Sequence, residues 1–224
     1  MIRTVASAAA LALLVPSVAY AALAALLPIG IATFSAPPPT AGRNGLNAVK
    51  GTATYRLYGQ TTTKSLIAYG NGDGTGVRQC VELVKRYATG LGFPNFVGKI
   101  NSSNISTGPA LGNGYQVAGN FAYESKGGFV FVANGATTLP KPGAVLSIST
   151  WNSAAGAYGH VGIVINYTQP SSTATSATIQ LFEQNMPIDS WKTVTFTKSS
   201  GRWYGTMRNT TFYPSVVGWA NPAG

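Results

Sequence analysis

The chain is poor in the residues that do chemistry. Its 224 residues hold one cysteine, one histidine and five acidic side chains. A single cysteine excludes any internal disulfide, so the fold must hold by packing alone. One histidine and one cysteine make a poor zinc shell, which argues against a metal site of that kind. Five acids against fifteen Lys+Arg leave a net charge of +10. The basic residues are scattered and form no block, so a nucleic-acid-binding arm is not indicated. No repeat period is visible.

What is present begins with a leader. Met1-Ile2-Arg3 is a short basic start, and an uncharged apolar run follows from Thr4 to Ala36. Within it, Ala19-Tyr20-Ala21 forms an A-x-A cleavage site. The run is also long enough to span a bilayer. Pro16 and Pro28 interrupt it, which a membrane helix tolerates poorly. Residues 1–36 therefore read as a signal peptide or N-terminal membrane anchor. The segment contains no cysteine, which excludes a lipid-anchored lipoprotein. Pro37-Pro38-Pro39 and the Gly/Asn-rich stretch after them read as a linker over 37–54. About 170 residues remain, enough for one domain with a sizeable core over 55–222. For an exported basic protein, cell-wall teichoic acids and membrane phospholipids are the obvious polyanions.

One clear helix is predicted. Cys80, Leu83, Val84, Tyr87, Ala88 and Leu91 follow a 3-1-3-1-3 spacing that makes one apolar face. Gly90, Gly92 and Pro94 end it, and Glu82 and Arg86 form an i,i+4 pair on another face. A shorter helix is expected near Tyr115–Ala122. Strands are expected at Gly128–Ala133, Ala144–Ser149, His160–Tyr167, Ala177–Gln184, Thr193–Thr197, Trp203–Arg208 and Val216–Trp219. A leading helix followed by a run of strands is an α+β pattern, with the helix packed on a mostly antiparallel sheet.

The cysteine and histidine fall where they can react. An exported protein gains little from an unpaired thiol, which invites oxidation, so a lone cysteine beside a lone histidine is a candidate nucleophile and base. Cys80 opens the helix. The free N–H groups and macrodipole of a helix start favour a thiolate, and the same N–H groups can donate to an oxyanion. His160 opens a strand and needs a partner to fix its tautomer. If the strands through Ile165 and Ile179 form a hairpin, cross-strand residue numbers sum to 343 or 344. A sum of 343 sets Glu183 directly opposite His160, with Asn185 on the same face. Nucleophile, base and orienter are then complete. The bland alternatives are a buried cysteine acting as a small hydrophobe and a satisfied strand-end histidine.

Four ordered motifs carry a resemblance: Gln79-Cys80-Val81-Glu82-Leu83-Val84-Lys85-Arg86-Tyr87, Pro140-Lys141-Pro142-Gly143-Ala144, Gly159-His160-Val161-Gly162-Ile163-Val164 and Glu183-Gln184-Asn185. Together they resemble the landmarks of the CHAP domain (cysteine, histidine-dependent amidohydrolase/peptidase), and the last strand resembles that family's closing strand. The resemblance implies a papain-like, NlpC/P60-type fold and cleavage of amide bonds in bacterial peptidoglycan, by a murein endopeptidase or an N-acetylmuramoyl-L-alanine amidase. By family, Cys80 attacks, His160 is base and then acid, Glu183 orients His160 and Asn185 supports the site. The Cys80 N–H enters the oxyanion hole, and Gln79 is a candidate second donor. No cofactor is required. Some family members bind calcium before the nucleophile, and the corresponding positions here are Asn71, Asp73, Thr75, Val77 and Glu82. Asn71 stands where an Asp is usual, which removes a charge and weakens such a site. The expected location is the cell surface or outside the cell. The alternatives are an amidase resembling those acting on glutathionylspermidine, and an inactive wall-binding or surface-antigen module.

Overall fold

The structure is a computed structural model that describes residues 30–39, 48–70, 79–93, 111–149, 158–165, 167, 169–185, 191–207 and 215–224. The A-x-A motif at Ala19–Ala21 lies outside the described residues. In chain order the elements are β1 (Ile31–Ser35), β2 (Val49–Leu57), β3 (Lys64–Tyr69), α1 (Cys80–Leu91), α2 (Val117–Glu124), β4 (Phe129–Ala133), β5 (Val145–Ile148), β6 (His160–Val164), β7 (Ser176–Phe182), β8 (Lys192–Ser199), β9 (Arg202–Thr206) and β10 (Val216–Pro222). They make a mixed fold with few helices and two antiparallel sheets. The smaller sheet has the order β1-β2-β3, and the larger has β4-β10-β5-β6-β7-β8-β9.

Helix α1 is amphipathic as its spacing predicts. Leu83, Val84, Tyr87 and Ala88 are fully buried, and Cys80 and Leu91 nearly so. Gln79 precedes it in extended conformation without a side-chain cap, and Gly92 ends it in the left-handed region at φ 82°. Gly90 does not end the helix but lies inside it, because a Cβ there would meet the Tyr55 hydroxyl at 2.0 Å. Glu82 pairs with Lys85 at 3.6 Å, while Arg86 donates to the Ile67 carbonyl and to Gln184.

The domain boundaries expected at residues 36 and 54 do not match the elements. Strand β1 lies within the stretch assigned to the leader, and β2 starts within the stretch assigned to the linker. The physical reason is burial. Phe34 and Tyr55 are buried in an aromatic cluster, with ring centroids 5.6 Å and 5.2 Å from Tyr87 of α1, and Phe34 lies 5.8 Å from Phe182 of β7. Each such edge-to-face pair contributes on the order of 1 kcal/mol beyond burial. The smaller sheet is therefore part of the same core as α1 and is not a tether.

The β6–β7 hairpin is shifted from its expected register. Ile163 pairs with Phe182 and Val164 with Leu181, two residues away from the pairing that would set Glu183 opposite His160. The loop between them has its own turn, with the Ala174 N–H bonded to the Ser171 carbonyl, so it does not fix the register as a tight hairpin turn would. Burial fixes it instead. Ile163 and Phe182 join one core cluster, and Val164, Ile179 and Leu181 join the other. The shift is even, so alternation still puts Glu183 on the side of His160, where the two meet diagonally.

Candidate active site

Three elements converge on the site. Cys80 is the first residue of α1, where backbone N–H groups have no partner within the helix. His160 is the first residue of β6, and Glu183 follows the last residue of β7. Cys80 is 8% exposed, His160 3% and Glu183 fully buried. The Glu183 Oε2 atom lies 2.6 Å from His160 Nε2. The imidazole is also hydrogen-bonded to the Cys80 thiol. With Nε2 taken by Glu183, Nδ1 is the ring nitrogen left for the sulfur. The order Cys80–His160–Glu183 expected from the sequence is thus present in space.

The electrostatics favour a charged imidazole. Burial on its own pushes the His160 pKa down. The hydrogen bonds to Cys80 and Glu183, with the negative charge of both partners, outweigh burial and raise it from 6.5 to about 10. His160 is therefore held as imidazolium at neutral pH, between two groups that are stabilised by its charge.

Asn185 lies two residues beyond Glu183, past the end of β7. It adopts φ 64°, a left-handed conformation that asparagine tolerates better than most residues, and its Nδ2 donates to Gln79 Oε1. Gln184 anchors the same corner. It is fully buried, donates through Nε2 to the Gln79 carbonyl at 2.9 Å, and accepts at Oε1 from the Tyr69 N–H at 3.3 Å and from Arg86. The residue in front of the nucleophile is thereby fixed through both its backbone and its side chain. With its Oε1 bonded to Asn185, the Gln79 side chain retains its NH2 group as a donor.

Of the calcium positions, Asn71, Asp73, Thr75 and Val77 lie outside the described residues. Glu82 is described, is nearly buried and faces Lys85. Among the described residues no group of three or more His, Cys, Asp or Glu side chains could hold a metal ion.

Sequence reasoning missed Lys50, Gln184 and Trp191. Lys50 is fully buried, with its Nζ 3.0 Å from Glu183 Oε1 and 5.0 Å from the centre of the Trp191 ring. The backbone N–H of Lys192 donates to the same Oε1 at 3.1 Å. Glu183 is thus shared between His160 on one oxygen and Lys50 on the other. Gln184 sits between two residues that were singled out, and a buried amide beside a buried acid was the signal that could have found it. Lys50 gave no such signal, because it interrupts the alternation of its strand.

A CHAP domain family model matches residues 69–185, just over half of the chain. No curated protein matches it. The matched stretch contains Cys80, His160 and Glu183, whereas Lys50 and Trp191 lie outside it. By that match, which spans the helix, the strand and the strand end that meet at the imidazole, the chain belongs to the CHAP domain family and to its broad class of amide-bond hydrolases, the amidohydrolases and peptidases.

Proposed function

We propose that the protein is an exported peptidoglycan hydrolase that cuts amide bonds of the wall peptide by a cysteine mechanism in a papain-like arrangement. The observation that carries the mechanism is the buried hydrogen-bonded run Cys80–His160–Glu183 with the thiol at a helix start. The substrate is supported by three further features. CHAP domains often act on peptidoglycan, an A-x-A motif follows the apolar start, and a charge of +10 suits an anionic wall.

The chemistry follows from the geometry. The thiol proton resides on His160, leaving the Cys80 sulfur as thiolate. The sulfur attacks the amide carbonyl carbon, and the carbonyl π pair moves to oxygen. The Cys80 N–H and the Gln79 NH2 group donate to that oxyanion, with Asn185 and Gln184 holding Gln79 in place. As the tetrahedral intermediate collapses, the C–N bond breaks and His160 Nδ1 gives its proton to the leaving amine. A thioester remains on Cys80. Water then attacks it, losing a proton to His160, and the C–S bond breaks to release the acid and restore the thiolate–imidazolium pair. Glu183 accepts the Nε2–H throughout and keeps Nδ1 facing the sulfur.

The test uses purified sacculi. Wild-type protein should release soluble fragments and lower turbidity, and Cys80→Ala should not. Equal release by both would refute the mechanism. Mass spectrometry of the fragments identifies the bond and separates a muramoyl-alanine amidase from an endopeptidase. Failure of the wild type on sacculi, with a reactive Cys80, would refute the substrate.

A further inference from the structure

The geometry points to Lys50 as a positioning residue for the Cys80–His160–Glu183 run, acting through Glu183 from a strand outside the matched domain. This rests on the roles proposed above for those three side chains and is independent of the substrate.

A fully buried lysine is among the rarest placements of a charged side chain, and it is tolerated only with a close partner. Here the partner is the carboxylate that orients the imidazole. The local backbone is built to bring the two together. Val49 pairs with Tyr69 and Gly51 with Ala68, so Lys50 is the extra residue of a β-bulge in β2. A bulge re-aims one side chain across a sheet. Next to it, a Cβ on Gly51 would lie 2.8 Å from the Trp191 ring, so the indole packs directly on the backbone there. The indole Nε1–H is in turn bonded to the Pro37 carbonyl at 2.7 Å. The bulge, the glycine and the indole together form a slot for one ammonium group.

The slot has two consequences for Glu183. Oε1 accepts from both Lys50 Nζ and the Lys192 N–H, so the carboxylate cannot rotate without losing two hydrogen bonds, and Oε2 stays on His160 Nε2. The charges also alternate. The Glu183 carboxylate lies between the His160 imidazolium on Oε2 and the Lys50 ammonium on Oε1. Without Lys50 the buried carboxylate loses one of its two cationic partners and one of the two bonds that hold Oε1, and Oε2 is freed to leave His160 Nε2. The charged or titratable groups around this run include Cys80 and Arg86 on α1, His160 on β6, Lys50 on β2 and Tyr69 on β3, with Tyr115 and Tyr158 beside Gly159 and the Lys192 N–H from β8. Arg86 is engaged with Gln184 and Ile67, one residue along from Glu183 and on another strand.

The experiment uses the full chain and two readouts that need no peptidoglycan. The first is the rate of Cys80 alkylation by iodoacetamide at neutral pH. The second is the far-downfield imidazole N–H resonance in proton NMR, which belongs to His160 because the chain has one histidine. Lys50→Met should slow alkylation on the order of tenfold and shift or abolish the resonance. Lys50→Gln keeps a donor but no charge, provides the measurement if the methionine variant does not fold, and should do the same. Lys50→Arg should restore both readouts to within about twofold. In a Glu183→Gln background, Lys50→Met should change alkylation by less than about twofold, because the route through Glu183 is already cut. Wild-type alkylation and resonance in a folded Lys50→Met or Lys50→Gln variant would overturn the proposal. An undiminished loss in the Glu183→Gln background would do so too. If these readouts behave as expected while sacculi remain intact, the substrate reading fails and the role of Lys50 stands.

Discussion

The two sheets approach the same carboxylate from opposite sides. The larger sheet brings His160 to Glu183 Oε2, and the smaller brings Lys50 to Oε1. In the proposed mechanism the larger sheet supplies the reacting base, and α1, packed on β3 and β6, supplies the nucleophile. The smaller sheet supplies no reacting group, and apart from Tyr69 it lies outside the stretch that matches the CHAP domain. Its contribution is a buried aromatic face and one cation. The difference separates two tasks. The proposed chemistry needs a fixed nucleophile, base and orienter, and one of the two ion pairs of the orienter comes from a neighbouring layer.

The most disruptive test strikes the shared residue. Glu183→Gln takes the anion from the buried Lys50 and leaves one amide oxygen where Lys50 and His160 each had a carboxylate oxygen. Breaking a fully buried pair from one side costs about 3–5 kcal/mol, and loss of the orienter lowers kcat on the order of 10³-fold or more. Both effects should be visible, as a lower denaturation midpoint and as a slower release from sacculi. A variant with wild-type stability would mean that the Lys50 contact carries no energy, and the contrast between the two sheets would lose its common point.

A second test isolates the smaller sheet. Phe34 is fully buried against Tyr55, Tyr87 and Phe182. Phe34→Ala should cost about 3–5 kcal/mol of stability, the usual range for a buried phenylalanine. The rate per folded molecule should change little. A stability unchanged within error would show that residues 31–35 are not part of the folded unit, as the leader assignment had it.

Much of the larger layer was legible in the chain, and the reasons are specific. The 3-1-3-1-3 spacing from Cys80 to Leu91 appears as the buried face of α1 because nothing competes with helical amphipathicity there. The pairing of His160 with Glu183 survived a wrong register because alternation depends only on parity. The bond from Asn185 to Gln79 was not legible, because the chain leaves the ladder after Phe182 and turns through a left-handed residue that no period predicts. Strand β1 was hidden because Ile31-Ala32-Thr33-Phe34 continues an apolar run that has the composition of a leader. Lys50 was hidden for a different reason. A bulge breaks the two-residue period at that position, so an inward lysine reads as an outward one.

The third prediction concerns pH. The His160 pKa is raised in the folded protein, from 6.5 to about 10. Its contribution to stability is therefore fully present below 6.5 and fades as pH rises toward 10. The midpoint difference between wild type and His160→Gln should shrink across that window. Activity should follow a bell, since it needs thiolate and imidazolium together, and its alkaline limb should fall near pH 10 where the imidazolium is lost. A rate that declines already at pH 7–8 would show that the two negative partners do not hold the proton, and a flat profile would contradict the ion-pair mechanism.

The smallest effect is expected in the second core, remote from the shared carboxylate. Trp219 on β10 is fully buried with Leu146, Val194, Phe196 and Val216, and its ring lies 5.7 Å from that of Phe196. Its indole N–H has no acceptor among the described residues. A buried donor without a partner carries a desolvation penalty of about 1–3 kcal/mol. Trp219→Phe removes that donor but also removes packed ring atoms, and lost volume of this kind costs a similar amount. The two terms oppose each other, so the change in unfolding free energy should stay within about 1 kcal/mol, measured by urea denaturation. Alkylation of Cys80 should be unchanged, because no described contact links Trp219 to α1, Glu183 or Lys50. A slower alkylation in this variant would show that the larger sheet transmits strain to the site across its full width, and the division between a reacting layer and a supporting layer would have to be redrawn within that sheet.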